Sequence, residues 1–160
     1  MLIDFDNLPE DSKIWIYQSN RKFSDTEFAA IEAQLAAFLT QWQAHQIDLE
    51  TGYLLKYNRF IIIAVNQDVQ VATGCAIDKS VHFIQGLEQQ FGVDLLDKMN
   101  VTFKNGDHIA HKSLIDFKKM AKERAVTAQT IVFNNLVNTI EEFKESWEVA
   151  AVDSWHSRFF

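Results

Sequence analysis

Cysteine is almost absent from this chain, and proline and glycine are scarce. The single cysteine, Cys75, rules out an intramolecular disulfide, which excludes the small secreted folds that disulfides hold together. One proline and five glycines in 160 residues are too few for long flexible linkers. Hydrophobic residues make up 48% of the chain and charged residues 23%, as in ordinary folded proteins. We therefore expect one domain over residues 1–160.

Targeting signals are also missing. The N-terminus has neither the basic start nor the apolar core of a signal peptide. The longest apolar run, Phe60–Val65, is far shorter than the roughly 20 residues that cross a bilayer. We expect a soluble cytoplasmic protein without membrane insertion. The net charge of −7 disfavours non-specific binding to polyanions such as nucleic acids.

The glycines are spaced too widely for the common phosphate-binding loops. They occupy positions 52, 74, 86, 92 and 106, and none begins a G-x-x-x-x-G-K-[ST] or G-x-G-x-x-G pattern. Without closely spaced glycines the backbone cannot wrap a phosphate in either way. The sequence therefore excludes P-loop ATPases and dinucleotide-binding enzymes of the Rossmann type, and we expect no cofactor.

Hydrophobic periodicity predicts a mixture of strands and helices. We expect strands at 14–18, 53–57, 59–65, 69–76, 101–104, 108–111 and 130–133, and helices at 25–44, 79–91, 113–124 and from Thr139. The clearest local signals are a capping box at Ser24–Glu27, an N-cap at Asp78, a stop at Gly92 and the hairpin dipeptide Asn105-Gly106. Because strands follow one another, this order predicts an α+β fold with packed helices and a mostly antiparallel or mixed sheet.

The segment Thr73–Asp78 contains the weak catalytic candidates. Cys75 precedes a predicted helix, whose positive end stabilises a thiolate. Asp78 and His82 are four residues apart and could act as a base or hydrogen-bond pair. The plainer interpretation, which we favour, is that Cys75 is a small buried hydrophobic residue and Asp78 only caps the helix.

Three residues beside apolar strands are candidates for ligand binding. Arg21 and Arg59 could each bind a carboxylate or phosphate through two hydrogen bonds, and Tyr17 lies on the first strand. The simpler alternative is that each arginine pairs with a local acidic residue. His108 and His111 are three apart, so on a strand they point to opposite faces, and we expect no metal site.

Two further segments have alternative interpretations. Residues 104–124 carry six basic and three acidic side chains, and Lys112–Arg124 could follow a nucleic-acid backbone. We favour the polar face of an amphipathic helix, because Asp116 and Glu123 are interleaved. The aromatic tail at 155–160 could close the protein's own core or dock on another subunit, and we expect it to close the core.

Several segments together resemble one family. They are residues 14–18 with Arg21, then 38–45, 57–60, 73–78, 95–99, 116–121 and 154–160. They are similar to an uncharacterised family of small bacterial cytoplasmic proteins that often carry the label "ABC transporter ATPase". The resemblance covers nearly the whole chain but implies no active-site residues. An ABC-type ATPase needs a P-loop, which this sequence lacks, so we do not expect ATP hydrolysis.

These observations leave two classes of function. We expect a non-enzymatic binding or assembly protein whose partner is a second copy or another protein, because the chain is rich in aromatic residues and has no reaction motif. The alternative is an enzyme or small-molecule-binding protein with a pocket near Cys75, Asp78 and Arg59.

Overall fold

A computed structural model describes residues 1–160. The strands are β1 (Lys13–Gln18), β2 (Gln43–Ala44), β3 (Ile47–Asp48), β4 (Thr51–Lys56), β5 (Phe60–Val65), β6 (Asn100–Asn105), β7 (His108–Ser113), β8 (Ile131–Phe133) and β9 (Glu148–Ala150). The helices are α1 (Asp25–Gln41), α2 (Gly74–Phe91), α3 (Leu114–Lys122) and α4 (Ile140–Ser146). Strands pair antiparallel throughout, which confirms the predicted α+β class. None of the helices combines the length and apolar character needed to cross a bilayer.

Contacts within the chain group into two compact units. Unit 1 comprises Met1–Leu96 with Asn138–Ile140, and unit 2 comprises Asp97–Val137 with Glu141–Phe160. The expectation of one domain over residues 1–160 stays a prediction.

The sheet of unit 1 has the order β1-β5-β4. All six residues of β5 are buried, as the apolar run predicts for a central strand. On one side lies α1, which begins at the predicted capping box: the Ser24 hydroxyl accepts from the Glu27 N–H, and the Glu27 carboxylate accepts from the Ser24 N–H. This helix buries Ile31, Leu35 and Leu39. The predicted strands at 14–18, 53–57 and 59–65 and the first predicted helix are therefore confirmed.

Residues 69–76 do not form the predicted third strand of this sheet. The chain turns directly after β5, where the Asn66 side chain accepts from the Asp68 N–H at 3.0 Å. The helix α2 then starts five residues earlier than predicted, because Thr73 caps it by accepting from the Ala76 N–H at 3.3 Å. The prediction that Asp78 is the N-cap is wrong. The predicted stop at Gly92 is confirmed, with this residue in the left-handed conformation at φ 62°.

A small hairpin follows α1, and the sequence analysis did not find it. The two residues between β2 and β3, His45 and Gln46, have φ angles of 52° and 66°. Both therefore adopt the left-handed conformation, which usually favours glycine or asparagine. Because the hairpin begins at Gln43, α1 ends at Gln41, three residues before its predicted end.

The sheet of unit 2 has the order β7-β6-β8-β9. The predicted hairpin is present, but its loop is Gly106-Asp107, because Asn105 pairs with His108. Gly106 has φ 64°, which explains why glycine is suited to this position. The predicted cap of α3 is confirmed, since the Ser113 hydroxyl accepts from the Asp116 N–H at 3.1 Å. Strand β9 lies in the tail and was not predicted.

The aromatic tail closes the core of unit 2. Trp155 and Phe159 pack against a buried cluster that includes Phe103 and Phe117. The rings of Phe117 and Phe159 meet edge to face at 5.6 Å between centroids. His156 is almost completely buried within the same segment. The tail therefore folds back on its own unit, as expected.

Candidate functional site

A pocket of about 390 Å³ opens where the β2–β3 hairpin meets the start of α2. Its walls come from two short segments and one further residue on α2: Gln43, Ala44, His45, Gln46, Thr73, Gly74, Cys75, Ala76 and Lys79. These side chains include one thiol, one imidazole and one ammonium group, and no carboxylate. The pocket therefore offers an apolar surface with few charged groups.

A buried hydrogen bond holds the two walls of the pocket together. The Trp42 indole Nε1 donates to the Ala76 carbonyl oxygen at 2.8 Å. Trp42 also packs against Trp15 and Phe38, with ring centroids 6.1 Å and 5.5 Å away. Ala44 and Ala76 are buried beneath the opening. The pocket is thus built on the aromatic core of unit 1 and not on a free loop.

The turn that forms one wall is strained. A non-glycine residue in the left-handed conformation costs roughly 1 kcal/mol, and His45 and Gln46 both adopt it. Such strain persists where the surrounding structure requires the conformation, and it is frequent at binding sites. The strained turn is therefore a second feature of this pocket that is typical of binding sites.

Cys75 is exposed and lines the pocket, so the interpretation of it as a buried hydrophobic residue is wrong. The physical reason is the early start of α2, which places Cys75 in the first helical turn with Lys79 one turn later. Asp78 and His82 are both exposed, and no hydrogen bond joins them. Neither lines the pocket. The three catalytic candidates lie on one exposed face of α2, because positions 75, 78 and 82 are spaced at i, i+3 and i+7, but only Cys75 lines the pocket.

The Arg21 side chain already has hydrogen-bond partners within unit 1. Its guanidinium donates to both carboxylate oxygens of Glu27 at 2.8 Å and to the Phe91 carbonyl oxygen at 2.6 Å. The hydrogen bond from Arg21 lowers the pKa of Glu27 to about 2. This arrangement matches the simpler alternative, in which the arginine pairs with a local acidic residue.

The other two ligand candidates lie elsewhere in unit 1. Tyr17 is buried, and this burial raises its pKa, opposed by a hydrogen bond from Ser80. Arg59 is partly buried, which lowers its pKa, and its guanidinium contacts the Ser19 carbonyl oxygen at 3.4 Å. Neither residue lines the pocket. The predicted grouping of Arg59 with Cys75 and Asp78 is therefore not present in this pocket.

The histidines of β7 do not converge on a metal site. His111 Nδ1 is 3.2 Å from the Thr102 hydroxyl, and His108 is exposed. No group of three or more histidine, cysteine or acidic side chains is placed to hold a metal ion.

Two exposed apolar groups were missed by the sequence analysis. The first, which we call the pocket rim, comprises Ile47, Val69 and Val71, each slightly more than half exposed. Ile47 directly follows the strained turn, and Val71 is two residues before the pocket residue Thr73. No local pattern distinguishes such short aliphatic stretches from buried strands. These three residues are thus exposed and adjoin the pocket walls in sequence.

The second group lies on α3. Ile115 is 81% exposed, and the exposed lysines Lys118, Lys119 and Lys122 follow it one and two turns later on the same side of the helix. We call these four residues the α3 face. The predicted polar face of this helix is confirmed for the lysines, but the exposed isoleucine at its N-terminal end was not expected.

No protein-family model, curated protein or solved structure matches this chain. The resemblance to the small bacterial family therefore stays a prediction.

Proposed function

We propose that this protein is a non-enzymatic binding protein that acts in an assembly, and that the pocket with its rim is the contact surface for a second copy of the chain. The observation that carries the proposal is a group of exposed aliphatic side chains in the two segments that adjoin, in sequence, the pocket walls of unit 1. Ile47, Val69 and Val71 are three of ten large hydrophobic residues that are exposed in the chain. They come from the two short segments that continue into the pocket walls.

The physical argument rests on the grouping of these residues. Single exposed aliphatic side chains are normal on a protein surface, whereas a group beside a concave apolar site is typical of contact surfaces. Burying such a group between two chains removes apolar area from water and stabilises the contact. The strained turn at His45 and Gln46 supports the same view, because both of its residues line the pocket and Ile47 follows them directly in the chain.

The chemistry of the pocket favours binding over catalysis. Its titratable side chains are those of His45, Cys75 and Lys79, and no acidic group lines it to orient the imidazole. A nucleophilic cysteine is usually activated by a base that a third group orients. The aromatic tail, the other candidate contact surface, is already packed in unit 2.

Sedimentation velocity over a range of protein concentrations tests this proposal. We expect the wild-type chain to associate as its concentration rises, and the double variant Ile47→Ser/Val71→Ser to remain monomeric. The matched control is Leu136→Ser/Val152→Ser, which changes two residues that are 64% and 53% exposed on unit 2. A wild-type chain that is monomeric at every concentration would contradict the proposal, as would equal effects of the two double variants.

A second candidate function is the binding of a small electrophile or apolar ligand by the same pocket. The observation that favours it is the exposed Cys75 thiol, four residues from Lys79 on the pocket wall. Its test is the alkylation rate of Cys75 in the native protein compared with the unfolded chain. Faster native modification would support the ligand function, and equal or slower modification would favour assembly.

A further inference from the structure

The α3 face is a stripe of lysines with an isoleucine at its N-terminal end. Ile115, Lys118, Lys119 and Lys122 are spaced at i, i+3, i+4 and i+7, which places them within about 100° of the helix circumference. The opposite side of α3 is anchored by Phe117, which is fully buried. The helix is thus fixed on unit 2 with this stripe towards solvent.

A second exposed apolar side chain lies at the start of the helix. Met99 is 68% exposed, and its carbonyl oxygen accepts from the Leu114 N–H at 3.1 Å. This backbone hydrogen bond brings Met99 next to the residue that precedes Ile115. Lys98 and Lys112, which adjoin the two bonded segments, are also exposed. Exposed residues of both signs adjoin these two apolar side chains, since the Asp97 carboxylate accepts from the Met99 N–H at 2.8 Å and Asp116 follows Ile115, but lysines are the more numerous.

The lysines of this surface outnumber the acidic groups beside them. Lys112, Lys118, Lys119 and Lys122 form no salt bridge. Asp116 and Glu123 lie to one side of the stripe, within one helical turn of Lys119. Unit 2 has nine basic and nine acidic side chains, so the whole net charge of −7 belongs to unit 1.

We propose that the α3 face, with Met99, docks reversibly on the surface of an anionic lipid bilayer. Lysines attract anionic headgroups, and a bilayer accepts protruding aliphatic side chains at the headgroup boundary without a matching pocket. A nucleic-acid backbone would use the lysines but offers no apolar contact for Ile115. The face lies on the bilayer and does not cross it. This inference is independent of the proposed assembly, which uses unit 1.

Co-sedimentation with vesicles tests the proposal. The full chain is mixed at low salt with vesicles of phosphatidylcholine alone, or of phosphatidylcholine with about one third phosphatidylserine. We expect binding to the second kind only, with affinity that falls as sodium chloride is added. Ile115→Ser should weaken binding roughly tenfold, and Lys118→Ala/Lys119→Ala/Lys122→Ala roughly 100-fold. Circular dichroism and thermal unfolding confirm that each variant is folded.

Two control variants remove the same kinds of side chain at other positions in the chain. Leu136→Ser removes another exposed aliphatic side chain of unit 2, and Lys13→Ala/Lys22→Ala/Lys56→Ala removes three charges from unit 1. Both controls should bind like wild type. Three results would overturn the proposal: no binding to anionic vesicles at low salt, equal losses in the controls, or binding to a DNA duplex that Ile115→Ser leaves unchanged while vesicles do not bind.

Discussion

The indole Nε1 of Trp42 donates a 2.8 Å hydrogen bond to the carbonyl oxygen of Ala76, linking the end of α1 to the first turn of α2. This buried bond joins the two walls of the pocket. Trp42→Phe keeps most of the ring packing but removes the donor, so we expect a loss of about 1 kcal/mol in the free energy of unfolding. Urea denaturation measures it.

The same variant should also loosen the pocket. We expect the alkylation rate of Cys75 to rise in Trp42→Phe, because the residue after Cys75 loses its tether to the hairpin. The matched control is Trp147→Phe, which removes the 2.9 Å bond from the Trp147 indole to the Asn135 side chain in unit 2. A Cys75 rate that is unchanged in Trp42→Phe, or raised equally in the control, contradicts this role.

The glycine at position 52 is required by close packing in unit 1. A β-carbon there would lie 2.8 Å from Leu8 Cδ1 and 3.1 Å from Phe5 Cα. We therefore expect Gly52→Ala to destabilise the protein by roughly 1–3 kcal/mol. The control is Gly86→Ala in α2, where a β-carbon meets nothing within 4 Å. That change should stabilise the helix by roughly 0.5–1 kcal/mol, and the same sign for both variants would refute the prediction.

The buried His156 makes stability depend on pH. Burial, assisted by the charge of Arg158, lowers its pKa from 6.5 to about 4. Between these values the unfolded state binds a proton that the folded state does not, so stability is full above pH 6.5 and falls as the pH drops towards 4. The expected loss is about 3 kcal/mol.

Urea denaturation at several pH values between 7 and 4 measures this loss. We expect His156→Gln to be less stable than wild type at pH 7 but to show a much flatter profile in this range. If the stability of His156→Gln fell as steeply with pH as that of wild type, the pH dependence would come from groups other than His156.

The Arg21–Glu27 pair titrates in a lower range. The pKa of Glu27 is lowered from 4.5 to about 2, chiefly by the hydrogen bond from Arg21. Its contribution to stability is therefore complete above pH 4.5 and is lost as the pH falls towards 2. We expect Glu27→Gln to flatten the stability profile below pH 4.5 and to leave the slope between pH 6.5 and 4.5 unchanged. If Glu27→Gln changed the slope only between pH 6.5 and 4.5, the loss of stability below pH 4.5 could not be assigned to Glu27.

Much of the architecture could be predicted from the sequence because its signals are local. The capping box at Ser24–Glu27 and the apolar strand β5 are recognisable within a few residues. The start of α2 was misplaced because Thr73 and Asp78 are both good N-caps, and the earlier one is used. The β2–β3 hairpin was missed because its turn uses His45 and Gln46 in place of an Asn-Gly pair.

The candidate site was harder to predict, because it depends on contacts between distant segments. The pocket needs the hairpin at 43–46 to meet residues 73–79, and no sequence pattern contains that pairing. The exposure of Cys75 follows from the use of Thr73 in place of Asp78 as the N-cap of α2. For Ile115, helical spacing identified the lysines around it, but the exposure of the isoleucine could not be deduced from spacing alone.

The rate of Cys75 alkylation as a function of protein concentration tests the central claim most directly, because Cys75 lines the pocket that we propose a second copy covers. In dilute protein we expect Cys75 to react no faster than in the unfolded chain, and its rate to fall as the concentration rises, with no such fall in Ile47→Ser/Val71→Ser. A rate that is independent of concentration in the wild-type chain would contradict assembly through this surface.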